Sequence, residues 1–242
     1  MTALAAATVS AATFARRDFS SSESLAEAFA DWTAALLSNA VAAHGAATFI
    51  VSGGTTPKRY FAALSHRDID WGRVNVTLAD ERRVADDNPR SNAKLVRETL
   101  LQSRAAVARF IQLADVRLSP DQELAAAQAR IADLPSPADL VVLGMGDDGH
   151  TASWFPKGDR LEEAMNPGER ALVLPIVAPD APEPRLTLTA RVILRATAIA
   201  LHIEGEGKRA VLAKALGDGP AVDMPIRTVL REAADRLTIF EA

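Results

Sequence analysis

The strongest constraint in this sequence is an alternation of short, wholly apolar runs with segments of helical periodicity. Thr48-Phe49-Ile50-Val51 and Leu140-Val141-Val142-Leu143 have no polar face to turn to water, and Val74 to Leu78 reads as another strand. A strand of that kind is covered on both sides, which is the situation in parallel sheets flanked by helices. Between the runs lie helix patterns. After a Ser20–Glu23 capping box, Leu25, Phe29, Trp32, Leu36, Leu37 and Val41 recur at helical spacing until Gly45. Pro57 opens a helix containing Tyr60, Phe61 and Leu64, and further helices are expected over 91–101, 121–134 and 206–216. Leu172–Ile176, Ala198–Ile203 and Leu237–Phe240 read as further strands, and the stretch before Ala15 as the approach to a first strand rather than a signal peptide. The expected fold is therefore α/β: three αβα layers around a mostly parallel, Rossmann-like sheet with helices on both faces. No internal repeat or linker interrupts residues 1–242, which read as one domain with Pro175–Pro184 as a surface loop.

Composition narrows the function classes. With 27 basic and 31 acidic side chains the net charge is −4, so no global field favours nucleic acid or an anionic membrane. Any anionic ligand must be held by a local cluster. The chain has no cysteine, which excludes disulfides, thiolate metal sites and cysteine nucleophiles. It has no apolar run of about 18 residues either, as a membrane-spanning helix requires.

Ligands of open α/β sheets sit beyond the carboxyl ends of the strands. Three loops after such ends carry unusual chemistry. Ser52-Gly53-Gly54-Thr55-Thr56-Pro57-Lys58 pairs two glycines with a helix start that Thr56 can cap, a setting that offers backbone N–H groups and a helix dipole to phosphate. It also suits a plain tight turn. Asp80-Glu81-Arg82-Arg83 places four charges after an apolar strand and is followed by Arg90-Ser91-Asn92; a solvated turn would look the same. In Gly144-Met145-Gly146-Asp147-Asp148-Gly149-His150-Thr151, Asp148 is spaced to orient His150, and an imidazole so held can act as a general base. The Gly144-Met145-Gly146 start is a weak dinucleotide signal, because a histidine follows where a helix should open, and no nicotinamide cofactor is expected. His44, His66 and His202 fit no metal-ligand spacing and are assigned structural roles. No G-x-S-x-G elbow is present, which disfavours a serine hydrolase.

Together these stretches resemble the 6-phosphogluconolactonases of the glucosamine-6-phosphate isomerase superfamily. The matching elements are Ser52–Pro57, Asp80–Arg82, Ser91-Asn92 and Gly144–Pro156, with weaker matches at Pro184–Thr187 and Gly207-Lys208. The resemblance implies hydrolysis of 6-phospho-D-glucono-1,5-lactone to 6-phosphogluconate by a cytoplasmic enzyme of the pentose phosphate pathway. It implies no cofactor or metal, a phosphorylated sugar lactone as the only partner, and a monomer or small homo-oligomer. It further implies His150 as general base, Asp148 as its orienter, Arg82 beside the developing oxyanion, and Asp80 holding Arg82 or a sugar hydroxyl. The 6-phosphate falls to Gly53, Gly54, Thr55 and Thr56 with Arg185 and Lys208, while Lys58, Ser91 and Asn92 add polar groups to the binding set. Deaminases of the superfamily carry tyrosine at Arg82 and glutamate at Phe155. A phenylalanine cannot do the acid/base work of ring opening, so the resemblance favours the lactonases over deaminases and over phosphosugar-sensing domains. A sensor would also need a DNA-binding helix-turn-helix, and residues 1–45 offer one long helix.

Overall fold

The computed structural model describes residues 14–242; most of the stretch read as the approach to the first strand lies outside them. In chain order the elements are β1 (Ala15–Asp18), α1 (Ser22–His44), β2 (Ala47–Val51), α2 (Lys58–Ser65), β3 (Val74–Leu78), β4 (Asp80–Arg82), α3 (Asn92–Thr99), β5 (Arg109–Ile111) and α4 (Pro120–Ala132). There follow β6 (Leu140–Leu143), α5 (Leu161–Met165), β7 (Val173–Ile176), β8 (Arg185–Leu188), α6 (Ala190–Ile193), β9 (Ala198–Ile203), α7 (Glu206–Leu216), α8 (Ile226–Glu232) and β10 (Leu237–Glu241).

Seven strands form one sheet in the order β1-β10-β9-β6-β2-β3-β5, and every neighbouring pair is parallel. All residues of β2, β3 and β6 are buried, so both faces are covered, as the apolar runs of β2 and β6 require; in β3 the buried Asn75 and Thr77 donate to the carbonyls of Ala47 and Ile111. Thr48 at the start of β2 is tied to the entry of β6 by its N–H, which donates to Asp139 Oδ2 at 2.7 Å. The chain builds outward from β2 through β3 to β5, then returns to lay β6 on the opposite side of β2 and continues through β9 to β10. The direction of winding thus reverses between β2 and β6. At such a reversal the connections leave to opposite faces and a crevice opens beyond the strand ends. The loops after β2 and β6 are the glycine-rich ones singled out above.

Four local readings change. The cap of α1 is Ser21, whose Oγ accepts from the N–H of Ser24 at 3.2 Å, not a Ser20–Glu23 box. Its C-terminal Gly45, at φ 79°, ends the helix as expected. Thr56 does not cap α2; Pro57 is the flanking residue and makes no side-chain cap bond, so Lys58 is the first helical residue. The charged run Asp80–Arg82 is a strand, not a loop: β4 pairs antiparallel with β8, and β8 with β7, in a separate three-stranded sheet. The Leu172–Ile176 strand accordingly belongs to this second sheet rather than the parallel one. Its position is set by Ala79, which bridges the sheets: its N–H donates to Val51 O of β2 at 2.8 Å and its carbonyl accepts from the N–H of Leu188 at 2.8 Å.

Candidate active site

A cavity of about 390 Å³ lies over the β2/β6 reversal, walled by the Ser52–Pro57 loop, the Gly144–Gly146 turn, β4, β8 and the start of α7. Of the site residues expected from sequence, Gly53, Gly54, Thr55, Thr56, Asp80, Arg82, Asn92, His150, Arg185 and Lys208 line it. Asp148 stands behind His150, Ser91 caps α3, and Lys58 lies on α2 outside the lining. The Pro175–Pro184 segment is more than a surface loop, since Asp180 and Pro182 close one side of the cavity. A larger open groove of about 610 Å³ runs along Pro156–Glu163 and carries none of the expected residues.

The loop after β6 builds a histidine–carboxylate pair. Asp148 Oδ1 takes both the backbone N–H of His150 at 3.0 Å and its ring Nδ1 at 2.6 Å. A carboxylate on Nδ1 fixes the tautomer with the proton there and leaves the Nε2 lone pair free. The loop is pinned by Gly146 N–H to His150 O (2.8 Å) and by Thr151 Oγ1 donating to Gly144 O (2.8 Å). Gly146 is obligatory for a steric reason: a Cβ there would fall 2.1 Å from His150 Nδ1. Burial works to raise the Asp148 carboxyl, but the hydrogen bond and charge of His150 outweigh it and hold the group below its ordinary value. The imidazole packs on Phe155 at 4.4 Å between ring centroids.

The strand character of β4 explains its side chains. With a period of two, Asp80 and Arg82 point one way and Glu81 the other. Asp80 and Arg82 face the cavity together with Arg185, the register partner of Arg82 on β8. Two guanidiniums therefore stand side by side. Arg185 is nearly buried, stacks over Phe155 at 5.4 Å, and lies 3.9 Å from Asp80. Burial pulls its pKa down and Asp80 opposes that, while an arginine remains charged in either case. Arg82 donates to the Arg90 carbonyl rather than to Asp80. Asp80 instead accepts from Ser153 Oγ at 2.5 Å and, through its backbone carbonyl, from Asn92 Nδ2 at 2.9 Å. It thus joins the β4 element to the loop that follows His150. Asn92 lies flat against Gly53, where an added Cβ would come within 1.9 Å of its Oδ1. Lys208, in the first turn of α7, holds Asp147 at 2.6 Å.

Three residues at the site had escaped the sequence reading. Glu81, nearly fully buried, accepts the N–H groups of Arg82 (2.7 Å), Asn92 (2.8 Å) and Ala93 (2.6 Å) and the Ser91 hydroxyl (3.1 Å). Burial pushes its carboxyl up, against the pull of those backbone N–H bonds. The two-residue alternation of Asp80-Glu81-Arg82 is its signal in the sequence, and it can be read only once the run is a strand. Ser153 has no exposed surface and could be found only through its contact with Asp80. His202, assigned a structural role, lines the cavity. Among the described residues, six buried side-chain polar atoms lack a hydrogen-bond partner, and five of them belong to the cavity-lining Ser52, Arg82, Asn92 and His202. Unpaired buried polar groups are costly in a folded protein, and their concentration here marks a surface made for a polar ligand. No group of three or more His, Asp or Glu side chains among the described residues is arranged to hold a metal ion.

Comparison with known proteins agrees with this geometry. Residues 20–239 match the family model described as glucosamine-6-phosphate isomerases/6-phosphogluconolactonase. The chain is 49% identical over 224 residues to the 6-phosphogluconolactonase of Rhizobium meliloti (strain 1021), covering 93% of this chain and 97% of that protein. It is 44% identical over 195 residues to the 6-phosphogluconolactonase of Pseudomonas aeruginosa, covering 81% and 82%. The crystal structure of a 6-phosphogluconolactonase from Shewanella baltica OS155 superimposes with a TM-score of 0.91 at 39% identity, over 96% of this chain and 99% of that one. With a family model matching residues 20–239 and relatives close to half identical over most of the chain, the chain belongs to the glucosamine-6-phosphate isomerase/6-phosphogluconolactonase family.

Proposed function

We propose that the cavity hydrolyses 6-phospho-D-glucono-1,5-lactone to 6-phospho-D-gluconate. The observation that carries this reading is the Asp148–His150 pair set in one cavity with Arg82, Arg185 and Lys208. A δ-lactone is an ester, so its opening needs a water made nucleophilic and a place for negative charge on the carbonyl oxygen. His150 Nε2 takes a proton from water as the oxygen bonds to C1. Arg82 stabilises the oxyanion that forms. Collapse of that intermediate breaks the bond from C1 to the ring oxygen, which leaves as a hydroxyl with the proton His150 returns. Asp148 keeps the ring in its productive tautomer and stabilises the transient imidazolium. Asp80, tied to Ser153 and Asn92, positions the two loops against each other. The phosphate is met by backbone N–H groups of Gly53 to Thr56 and by Arg185 and Lys208, a guanidinium and an ammonium suited to a dianion. The near relatives that carry the same activity in their names support this assignment.

Purified protein mixed with freshly generated 6-phosphogluconolactone should release acid well above the spontaneous rate, and no acceleration would refute the reading. Arg185→Ala should raise KM for the phosphorylated lactone by about tenfold or more, as loss of a charged hydrogen bond does, and leave hydrolysis of glucono-1,5-lactone nearly unchanged. Equal losses on both lactones would remove Arg185 from the phosphate site. Phe155, in contact with both His150 and Arg185, has no proton to exchange. Glucosamine 6-phosphate should accordingly yield no ammonia in an enzyme-coupled assay, and release at a rate comparable with lactone opening would reverse the ranking of the two reactions.

A further inference from the structure

His202 sits on β9 one residue beyond the last paired row, Leu143 with Leu201, which sets it beside Gly144 at the carboxyl edge of the sheet. A Cβ built on Gly144 meets nothing within 4 Å, so the cavity is open at Gly144, and His202 lines the same cavity. The ring itself is packed edge-on against Phe29 at 5.4 Å and Tyr60 at 5.9 Å and is 4% exposed. Nε2 lies 2.9 Å from Glu204 Oε1, whose carboxyl the imidazole holds below its ordinary value, but Nδ1 has no partner. A core histidine kept only for packing would be expected to have both nitrogens bonded or to be replaced by an apolar ring, because an unpaired buried polar group such as Nδ1 costs stability. Two further features place a ligand here. Ser52 Oγ, buried and also unpaired, lines the same cavity. Lys208, in the first turn of α7, lines it as well.

We propose that His202 is a further binding residue of this cavity: through the unpartnered Nδ1 its imidazole hydrogen-bonds an oxygen at the phosphorylated end of the sugar ligand, while Glu204 holds the ring at Nε2. The inference rests on the lactonase reading for the identity of the ligand, but it concerns binding and not the hydrolytic step. An imidazole can donate to a phosphate oxygen or exchange a hydrogen bond with the neighbouring hydroxyl, and the two are separable by experiment. Neither His150 nor Asp148 touches this ring, so the role does not overlap with theirs.

The test uses the product, 6-phosphogluconate, as ligand in calorimetric titration of the full-length protein. His202→Phe keeps the aromatic packing and removes both nitrogens. It should weaken 6-phosphogluconate binding by about tenfold and raise KM for the lactone in proportion, with kcat changed by less than about threefold. Parallel titrations with inorganic phosphate and with gluconate locate the contact: weakened phosphate binding assigns it to the phosphate, weakened gluconate binding to a hydroxyl. If His202→Phe does not fold, wild-type protein labelled with 15N-histidine gives the answer directly, because the His202 ring nitrogens should shift on saturation with 6-phosphogluconate. Unchanged affinity of a folded His202→Phe variant, or ring resonances that stay fixed at saturation, would overturn the proposal. Wild-type protein that binds 6-phosphogluconate through His202 yet opens no lactone would instead sink the lactonase reading and leave this one standing.

Discussion

His150→Gln is expected to lower kcat for lactone opening by about 10²–10⁴-fold, the usual worth of a positioned general base. Glutamine approximates the length and hydrogen-bonding reach of histidine but cannot take a proton from water. The loop around position 150 is held by its backbone and by Thr151, not by the imidazole: Gly146 N–H bonds the carbonyl of residue 150, and Thr151 bonds Gly144. The variant should therefore fold and bind 6-phosphogluconate nearly as the wild type does. The loss should fall on kcat with little change in KM, since the missing interaction is made only as water attacks. Because the lactone also opens spontaneously, rates are compared after subtraction of the uncatalysed reaction at each pH. A folded His150→Gln variant that kept most of its activity would remove the general-base role and move attention to Asp148 and Asp80.

The second large effect is on stability. Glu81→Ala deletes one side chain and leaves four donors without their acceptor: three backbone N–H groups and the Ser91 hydroxyl. Each buried donor left unpaired costs about 1–3 kcal/mol, although partial rehydration through the cavity will limit the sum. A loss of about 3 kcal/mol or more in urea-induced unfolding is expected, read as a lower midpoint at unchanged slope. Glu81→Gln, which keeps one acceptor oxygen, should lie between the two. Activity should fall with stability in both variants, because Arg82 and Asn92 are anchored through the same carboxylate. A Glu81→Ala protein as stable as the wild type would show that α3 and β4 are held by other contacts.

Much of the architecture was legible in the chain because its cause is local. An unbroken apolar tetrapeptide such as Leu140–Leu143 has to be covered on both faces, and a glycine at φ 79° ends α1 where Gly45 stands. The two glycine-rich loops were found for the same reason: strand, glycines and helix follow one another in sequence. The antiparallel sheet was not found, because β4 is three residues long and all charged, and only its pairing with β8, about a hundred positions away, makes it a strand. Glu81, Ser153 and His202 share that difficulty. Ser153 is defined by a partner 73 positions away and His202 by a cavity wall, which leave no periodic trace, while the alternation that marks Glu81 shows only once β4 is known to be a strand.

The reversal of winding between β2 and β6 has a consequence for how the protein comes into being. The cavity draws its walls from Ser52 at one end to Lys208 at the other, and its two halves meet through pairing of β2 with β6, of β6 with β9 and of β4 with β8. Such pairings close long loops, and that entropy must be met before the contacts reward it. During synthesis β2 and β3 emerge early and can pair with each other, while the β6 flank of β2 stays uncovered until residue 140 and beyond has been made. A nascent chain that stalls in that interval exposes an apolar strand edge but no complete anion-facing site, so binding competence arrives with the closing steps of folding and not before them.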